Sequence, residues 1–273
     1  MQVKYSHNNT QCTLTQPNYI DKIIKNSKIT RTKLSTPTLP GQIFTKTGEQ
    51  VSTEETEWYR QRVGELRFLA DCTRPDIDNA VMLHSRFQNA PTAQHCKSLR
   101  RVFRYVIGTR DLGIVFRKQD FLQMVGYADA NYDARSTTGY VLFMGGPIAW
   151  RSALQRSVAQ STMEAEYMAL AEVVKMLKYF TSLGEFFNHP VARPTILYED
   201  NASCISLAEN PVFPKRAKHI HVRYHMVRLA LANNEFQLCW VPSLEMVADL
   251  LTKPVSATTM RALRGKLLGY VEL

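Results

Sequence analysis

Residues 161–174 read STMEAEYMALAEVV. The run has the pattern of a helix, continuing to about residue 187. Placed at 100° per residue, Met163, Tyr167, Leu170, Val173, Val174 and Leu177 gather on one side. Glu166 falls inside that cluster. Glu164, two residues earlier, points elsewhere, toward Met168, Glu172 and Lys175. Glu164 and Glu172 are therefore expected to be surface charges, and Glu166 is a carboxylate on the face that should meet a sheet. A lone buried carboxylate is costly. It can be held by an ion pair with an Arg, by a helix roll that brings it to the rim, or by a cation shared with other carboxylates.

The flanking sequence supplies such carboxylates. GIVFRK (113–118), QMVGYADA (123–130), GYVLFMGG (139–146) and PIAWRS (147–152) read as four short strands, the last ones separated by Gly-rich turns. After the long helix, TILYED (195–200) is a strand, NASCISLAEN (201–210) and HIHVRYHMVRLALAN (219–233) are helices, and FQLCWVP (236–242) is a strand. EMVADLLTK (245–253) and SATTMRALRGKLL (256–268) are helices. Strands followed by alternating helix and strand make an α/β fold, a mixed sheet flanked by helices. Asp129 and Asp200 close strands, and Asp249 lies near the start of a helix that follows one. Strand ends and helix starts along one sheet edge can converge. Four carboxylates meeting there suit hard, oxygen-ligated divalent cations of the Mg²⁺ class. Two such ions about 3.5–4 Å apart can clamp the attacking and leaving oxygens of a phosphodiester.

The first half has a different grammar. Residues 30–56 are rich in Thr, Pro, Gly and Ser and read as a long exposed loop. From Trp58 the pattern is helical, in three segments covering YRQRVGELRFLADCTRP, DIDNAVMLHSRFQNAP and TAQHCKSLRRVFRYVIGT. The third buries Cys96, Leu99, Phe103 and Val106 and crowds Lys97, Arg100, Arg101 and Arg104 onto its other sides. These four cations are either a solvated face or contacts to phosphate. The 273-residue chain carries a formal charge of +10. Residues 1–120 hold 19 Lys/Arg against 11 Asp/Glu, and residues 121–273 hold 15 against 13. A basic balance of this kind favours a polyanionic partner. No apolar run reaches the roughly 18–20 residues of a membrane span, and the N-terminus lacks a secretory h-region. Five scattered cysteines without a CxxC pair fit a reduced, intracellular setting.

The motifs YADAN, RSTTGYVLF, STMEAEYMALAE, EDNASCI, KHIHVRYH and VADLLTKP resemble the ribonuclease H domain of copia-type retrotransposon polyproteins. LTQPNYIDKII, YRQRVGELRFLADCTRPDIDNAV, HSRFQNAPTAQH and LRRVFRYVIGTRDLGIVF resemble the segment that joins reverse transcriptase to that domain. The resemblance implies a ribonuclease H-like domain over 116–273. Before it, 1–115 would be a mostly helical, thumb- or connection-like remnant of reverse transcriptase. It implies Asp129, Glu166, Asp200 and Asp249 as catalytic and metal-binding residues, two Mg²⁺ ions (or Mn²⁺) as cofactor, and an RNA–DNA hybrid as substrate. The rest of a Pol polyprotein is an implied partner. The implied setting is cytoplasmic, in a virus-like particle, or nuclear. The order Asp, Glu, Asp, Asp favours a ribonuclease over integrases and transposases, which share the fold but place their Glu last.

Departures from the family pattern are specific. His221 stands where the family often has Asp, Met246 where Gln is usual, and KMLKYFTSLGEFF replaces a Trp-Leu pattern. The loop PSLEMVA has no His, and His219 and His225 are expected to pack or to contact backbone. No YxDD palm motif occurs in the chain. The polymerase motif is therefore expected upstream, and no DNA synthesis is expected here. The alternatives are an inactive retrotransposon remnant or a non-enzymatic nucleic-acid-binding protein. RALR at 261–264 has the RxLR form of some secreted effectors but lies on a terminal amphipathic helix.

Overall fold

The computed structural model describes residues 1–27, 29, 33–118, 122–210 and 221–271, with backbone only for 221–223. The chain divides into two compact units, Phe116–Thr252 and Met1–Val115 with Lys253–Leu273. The sequence places 116–273 in one domain. Residues 253–271 instead group with the first unit, where the helix there buries Met260, Leu263 and Leu267.

In the first unit, β1 (Gln2–Tyr5) and β2 (Gln11–Thr15) form a hairpin, and β3 (Ile114–Arg117), whose first two residues belong to that unit, completes a sheet of order β1-β2-β3. The strand GIVFRK therefore belongs with the N-terminal hairpin and not with the three strands that follow it. Helices α1 (Pro17–Ser27), α2 (Thr53–Cys72), α3 (Asp78–Ser85) and α4 (Ala93–Gly108) bury one core that includes Ile20, Tyr59, Leu66, Leu99 and Phe103. Helix α2 starts five residues before Trp58, where the Ser52 side chain accepts from the Glu55 amide, satisfying an orphan N–H of the first turn. The segment expected to be an exposed loop forms no helix or strand before α2 among its described residues. It buries Thr36 and Thr38, however, and Thr36 accepts a 2.8 Å hydrogen bond from Arg101.

The second unit has a five-stranded sheet of order β6-β5-β4-β7-β8. Its strands are β4 (Gln123–Asn131), β5 (Thr137–Phe143), β6 (Pro147–Leu154), β7 (Ala192–Glu199) and β8 (Phe236–Trp240). The first three form an antiparallel meander, and β7 and β8 run parallel to their neighbours. Helix α5 (Thr162–Phe186) makes the crossover from β6 to β7. Helices α6 (Ala202–Glu209) and α7 (His221–Ala232) connect β7 to β8. This is the ribonuclease H-like mixed sheet flanked by helices that the sequence implies. Tyr167, Leu170, Val173, Val174 and Leu177 of α5 are all buried in the core under the sheet. Tyr167 stacks on Tyr224 of α7 at 4.1 Å between ring centroids.

The predicted helix EMVADLLTK is mostly irregular. A 3₁₀ turn spans Ser243–Glu245, and only α8 (Asp249–Thr252) is helical. Pro242 and Pro254 bound this segment, and its apolar residues Met246, Val247, Ala248 and Leu251 are all buried. Helix α9 (Ala257–Leu267) follows, capped by Ser256 on the Thr259 amide. Among the described residues no helix is long and apolar enough to cross a membrane.

Candidate metal centre

The parallel pairing of β4 and β7 sets Tyr127 beside Tyr198. Asp129 and Asp200, each two residues further on, leave the same end of the sheet. Helix α5 crosses below and brings Glu166 to them. One carboxylate oxygen from each of Asp129, Glu166 and Asp200 lies within 4.8 Å of the other two. Asp129 and Glu166 are buried, and Asp200 is half-buried.

The helical angle therefore puts Glu166 on the correct face. The expectation for Glu164 is corrected: it is buried, and its Oε2 accepts the Gln160 amide at 2.8 Å. Its own amide donates to the Ser161 hydroxyl, the N-cap of α5. A carboxylate in the first turn of a helix meets unsatisfied N–H groups and the positive end of the dipole, so Glu164 folds back toward the backbone.

The energetics of the cluster are those of a site built for positive charge. Glu166 Oε2 is buried with no hydrogen-bond partner. Burial, then the charges of Asp129, Glu199 and Asp200, hold its proton affinity well above the usual carboxylate range. No Arg or Lys is paired with it among the described residues, which removes the ion-pair reading. Glu199 is a further carboxylate at this edge. It is fully buried, its Oε1 accepts the Asn201 amide at 3.1 Å, and its Oε2 has no hydrogen-bond partner. Burial raises Glu199 as well, and Asp129 and Asp200 add to the rise. The adjacent Cys204 thiol is pushed up by burial and then by Glu199. An all-oxygen donor set with a buried, unpartnered oxygen fits a hard divalent cation.

Two hydroxyls hold the aspartates. Thr252 Oγ1 donates to Asp129 Oδ2, and Ser243 Oγ donates to Asp200 Oδ2 at 2.7 Å. The Trp240 indole N–H donates to the Asp200 carbonyl at 3.0 Å. Gly139, the register partner of Asp129, admits Thr252: a Cβ there would lie 2.5 Å from Thr252 Cγ2. Asp249 is buried at the start of α8, one turn before Thr252, but is outside the 4.8 Å group. Three of the four predicted carboxylates thus converge. Glu199, Ser243 and Thr252 are site residues that the sequence reading misses. Glu199 is visible in the sequence only as the neighbour of Asp200, and Thr252 only as the Thr of VADLLTKP.

The four predicted phosphate-contact residues divide. Lys97, Arg101 and Arg104 line a cleft of about 700 Å³ against Leu34, Pro40 and Gln42. Arg100 instead pairs with Glu55 at 3.1 Å and lies 4.5 Å over the Trp58 ring. His225 lines an apolar cleft with Ala208 and Leu229. His219 and the side chain of His221 lie outside the described residues.

No protein-family model matches the chain. It is 35% identical over 261 residues to the retrovirus-related Pol polyprotein from transposon RE1 of Arabidopsis thaliana, covering 93% of this chain and 18% of that protein. The corresponding polyprotein from transposon TNT 1-94 of Nicotiana tabacum is 35% identical over 257 residues, 89% of this chain and 19% of that one. The chain thus spans less than a fifth of these relatives. Secreted RxLR effector protein 161 of Plasmopara viticola is 39% identical over 129 residues, 45% of this chain and 91% of its own length. Among solved structures, LC11-RNase H1 in complex with an RNA/DNA hybrid aligns with 48% of this chain and 94% of that one, at 16% identity and a TM-score of 0.37. The foamy viral protease-reverse transcriptase in complex with an RNA/DNA hybrid aligns with 91% of this chain and 29% of that one, at 16% identity and a TM-score of 0.43. These structural alignments are loose, and the fold assignment rests on strand order. The motifs and the similarity along nearly the whole chain agree: its high-coverage relatives are retrovirus-related Pol polyproteins of copia-type transposons, and the chain fits their C-terminal part.

Proposed function

We propose that this chain is a ribonuclease H that hydrolyses the RNA strand of RNA–DNA hybrids with the help of divalent cations, Mg²⁺ or Mn²⁺. The observation that supports this most strongly is the convergence of Asp129, Glu166 and Asp200 within 4.8 Å, with a buried, unpartnered Glu166 oxygen among them. These three would hold the ions, and Asp249, one turn from the hydroxyl that fixes Asp129, is the fourth candidate ligand. Bound ions would neutralise the phosphodiester and lower the pKa of an attacking water. The chain's own contribution is orientation: Thr252 and Ser243 fix the aspartates, and the fold holds Glu166 beside them, where burial and their charges favour its protonated form until a cation takes the proton's place. Lys97, Arg101 and Arg104 would hold duplex phosphates without reading sequence. The 2′-hydroxyls would separate RNA from DNA.

The test is a gel assay with end-labelled RNA in a hybrid. Mg²⁺ should give cleavage of the RNA strand only, chelator should stop it, and Asp129→Asn should abolish it while leaving the circular dichroism spectrum unchanged. An intact hybrid that is nevertheless bound by the protein would refute the enzymatic reading. It would favour a non-catalytic nucleic-acid-binding protein, for which the position of Asp249 outside the cluster speaks. The absence of a YxDD motif leads us to expect no primer extension. Incorporation of labelled nucleotide onto a primed template would contradict that.

A further inference from the structure

The carboxylate cluster has a cationic neighbour on the same sheet edge. A cleft of about 250 Å³ opens where β5 begins and β6 ends, lined by Thr138, Arg151, Gln155, Arg156, Glu172 and Lys175. Arg135, on the turn between β4 and β5, donates its Nε to the Gln155 carbonyl at 3.0 Å and adds a fourth cation to the rim. All four cationic residues are exposed. Lys175 is bridged to Glu172 at 2.7 Å. Arg135, Arg151 and Arg156 have no carboxylate partner among the described residues. The other nearby acids are already used: Glu164 accepts the Gln160 amide, and Asp133 accepts the Ala134 amide.

The floor of this cleft and the metal centre are built from consecutive residues. Gln155 Nε2 donates to Thr138 Oγ1 at 3.1 Å and to the Ala165 carbonyl at 2.9 Å. Thr138 precedes Gly139, the register partner of Asp129, and Ala165 precedes Glu166. The cleft side of β6 is two strand spacings from β4, roughly 10 Å. That separation corresponds to about three phosphate steps of one duplex strand along its axis. The cations are exposed and spread along the cleft, on a strand at the sheet edge, a turn and a helix. They do not converge on one buried point, as they would around a small anion.

We propose that Arg135, Arg151, Arg156 and Lys175 grip the sugar–phosphate backbone of the duplex whose scissile phosphodiester lies at Asp129, Glu166 and Asp200. This rests on the nuclease reading above and adds to it a second contact that fixes where the backbone enters the site.

The test measures binding of a fluorescently labelled RNA–DNA hybrid to the full chain by anisotropy, in chelator so that the RNA stays intact, over a series of salt concentrations. The triple variant R151Q/R156Q/K175Q should bind at least tenfold more weakly. Its slope of log affinity against log salt should be shallower by about 2–3, near 0.9 for each phosphate no longer neutralised. Inorganic phosphate at matched ionic strength should not compete. If the triple variant keeps the affinity and slope of the unmodified protein, the cleft has no such role and the nuclease reading stands. Competition by inorganic phosphate would make it a small-anion site and overturn the inference. Failure of the unmodified protein to bind the hybrid would overturn both. Should the triple variant lose its native circular dichroism spectrum, R151Q and R156Q singly decide. Each should lower the slope by about 1, and an unchanged slope in both would overturn the inference.

Discussion

Glu166 and Glu164 differ by two positions and show what a residue's sequence context can and cannot reveal. The helical angle identifies Glu166 as inward because its neighbours on that face are apolar. It misjudges Glu164, whose burial comes from the unsatisfied amides of the helix start and not from periodicity. Glu199 is illegible for a related reason: it is the last residue of β7, and nothing in YED marks it, ahead of the half-buried Asp200, as the fully buried one. The electrostatics give a testable consequence. Glu166 binds its proton more tightly folded than unfolded. Below the ordinary glutamate range, about 4.3, both states are protonated and the group is neutral in its effect. As pH rises the unfolded chain ionises first, so the metal-free folded state loses stability. Glu166→Gln should therefore raise metal-free stability at pH 7 by at least about 1.4 kcal/mol, the worth of a tenfold change in proton affinity. The gain should vanish near pH 4. Urea melts at the two pH values check this. His84 acts in the opposite direction. Fully buried between Tyr59 and Ser98, it is pushed down to about 3 by burial and then by His95. Its stabilising share is complete above the unfolded value near 6.5 and is lost as pH falls toward 3. The first unit should soften over that window, and hydrogen exchange at α2 and α4 should report it.

At the scale of elements, long periodic segments are legible in the sequence and short ones are not. The pattern delimits helices α5 and α4 nearly to their ends, because a buried stripe repeated over many turns leaves little choice. The segment after β8 has the pattern of one helix, but its apolar residues dip into the core between two prolines, and four helical residues remain. Its role depends on a close approach that no periodicity encodes. Gly139 lacks a side chain where Thr252 Cγ2, Leu251 Cβ and the Ala248 carbonyl all pass within 3.0 Å of the point a Cβ would occupy. Gly139→Ala should push α8 outward and destabilise the fold by about 1–3 kcal/mol, the usual cost of overpacking. It should also release Thr252 from Asp129. Thermal melts and Mg²⁺ affinity, measured on the same preparation, should both fall. Loss of stability with unchanged metal affinity would show that Thr252 does not orient Asp129.

At the scale of the whole molecule, the change from helical to strand pattern at about residue 112 is legible in the sequence, and the chain forms two compact units, Phe116–Thr252 and Met1–Val115 with Lys253–Leu273. The return of the C-terminus is not legible. Helix α9 has an ordinary amphipathic pattern, and nothing in it names the core it joins. That core is specified by a polar network: Arg264 donates to the Tyr105 hydroxyl at 3.2 Å, Tyr105 donates to Asp76 at 2.6 Å, and Asp76 is paired with the buried Arg74. Deleting 253–273 should lower the stability of the first unit, because Met260, Leu263, Leu267 and Leu268 leave their burial sites. A new low-temperature transition in calorimetry would report it. The central claim, however, concerns the three carboxylates and is tested most directly by calorimetric titration of Mg²⁺ into the metal-free protein and into Glu166→Gln. Saturable binding to the first and its loss in the second, with native circular dichroism in both, is the predicted result. Equal binding by the two proteins, or none by either, would contradict the account.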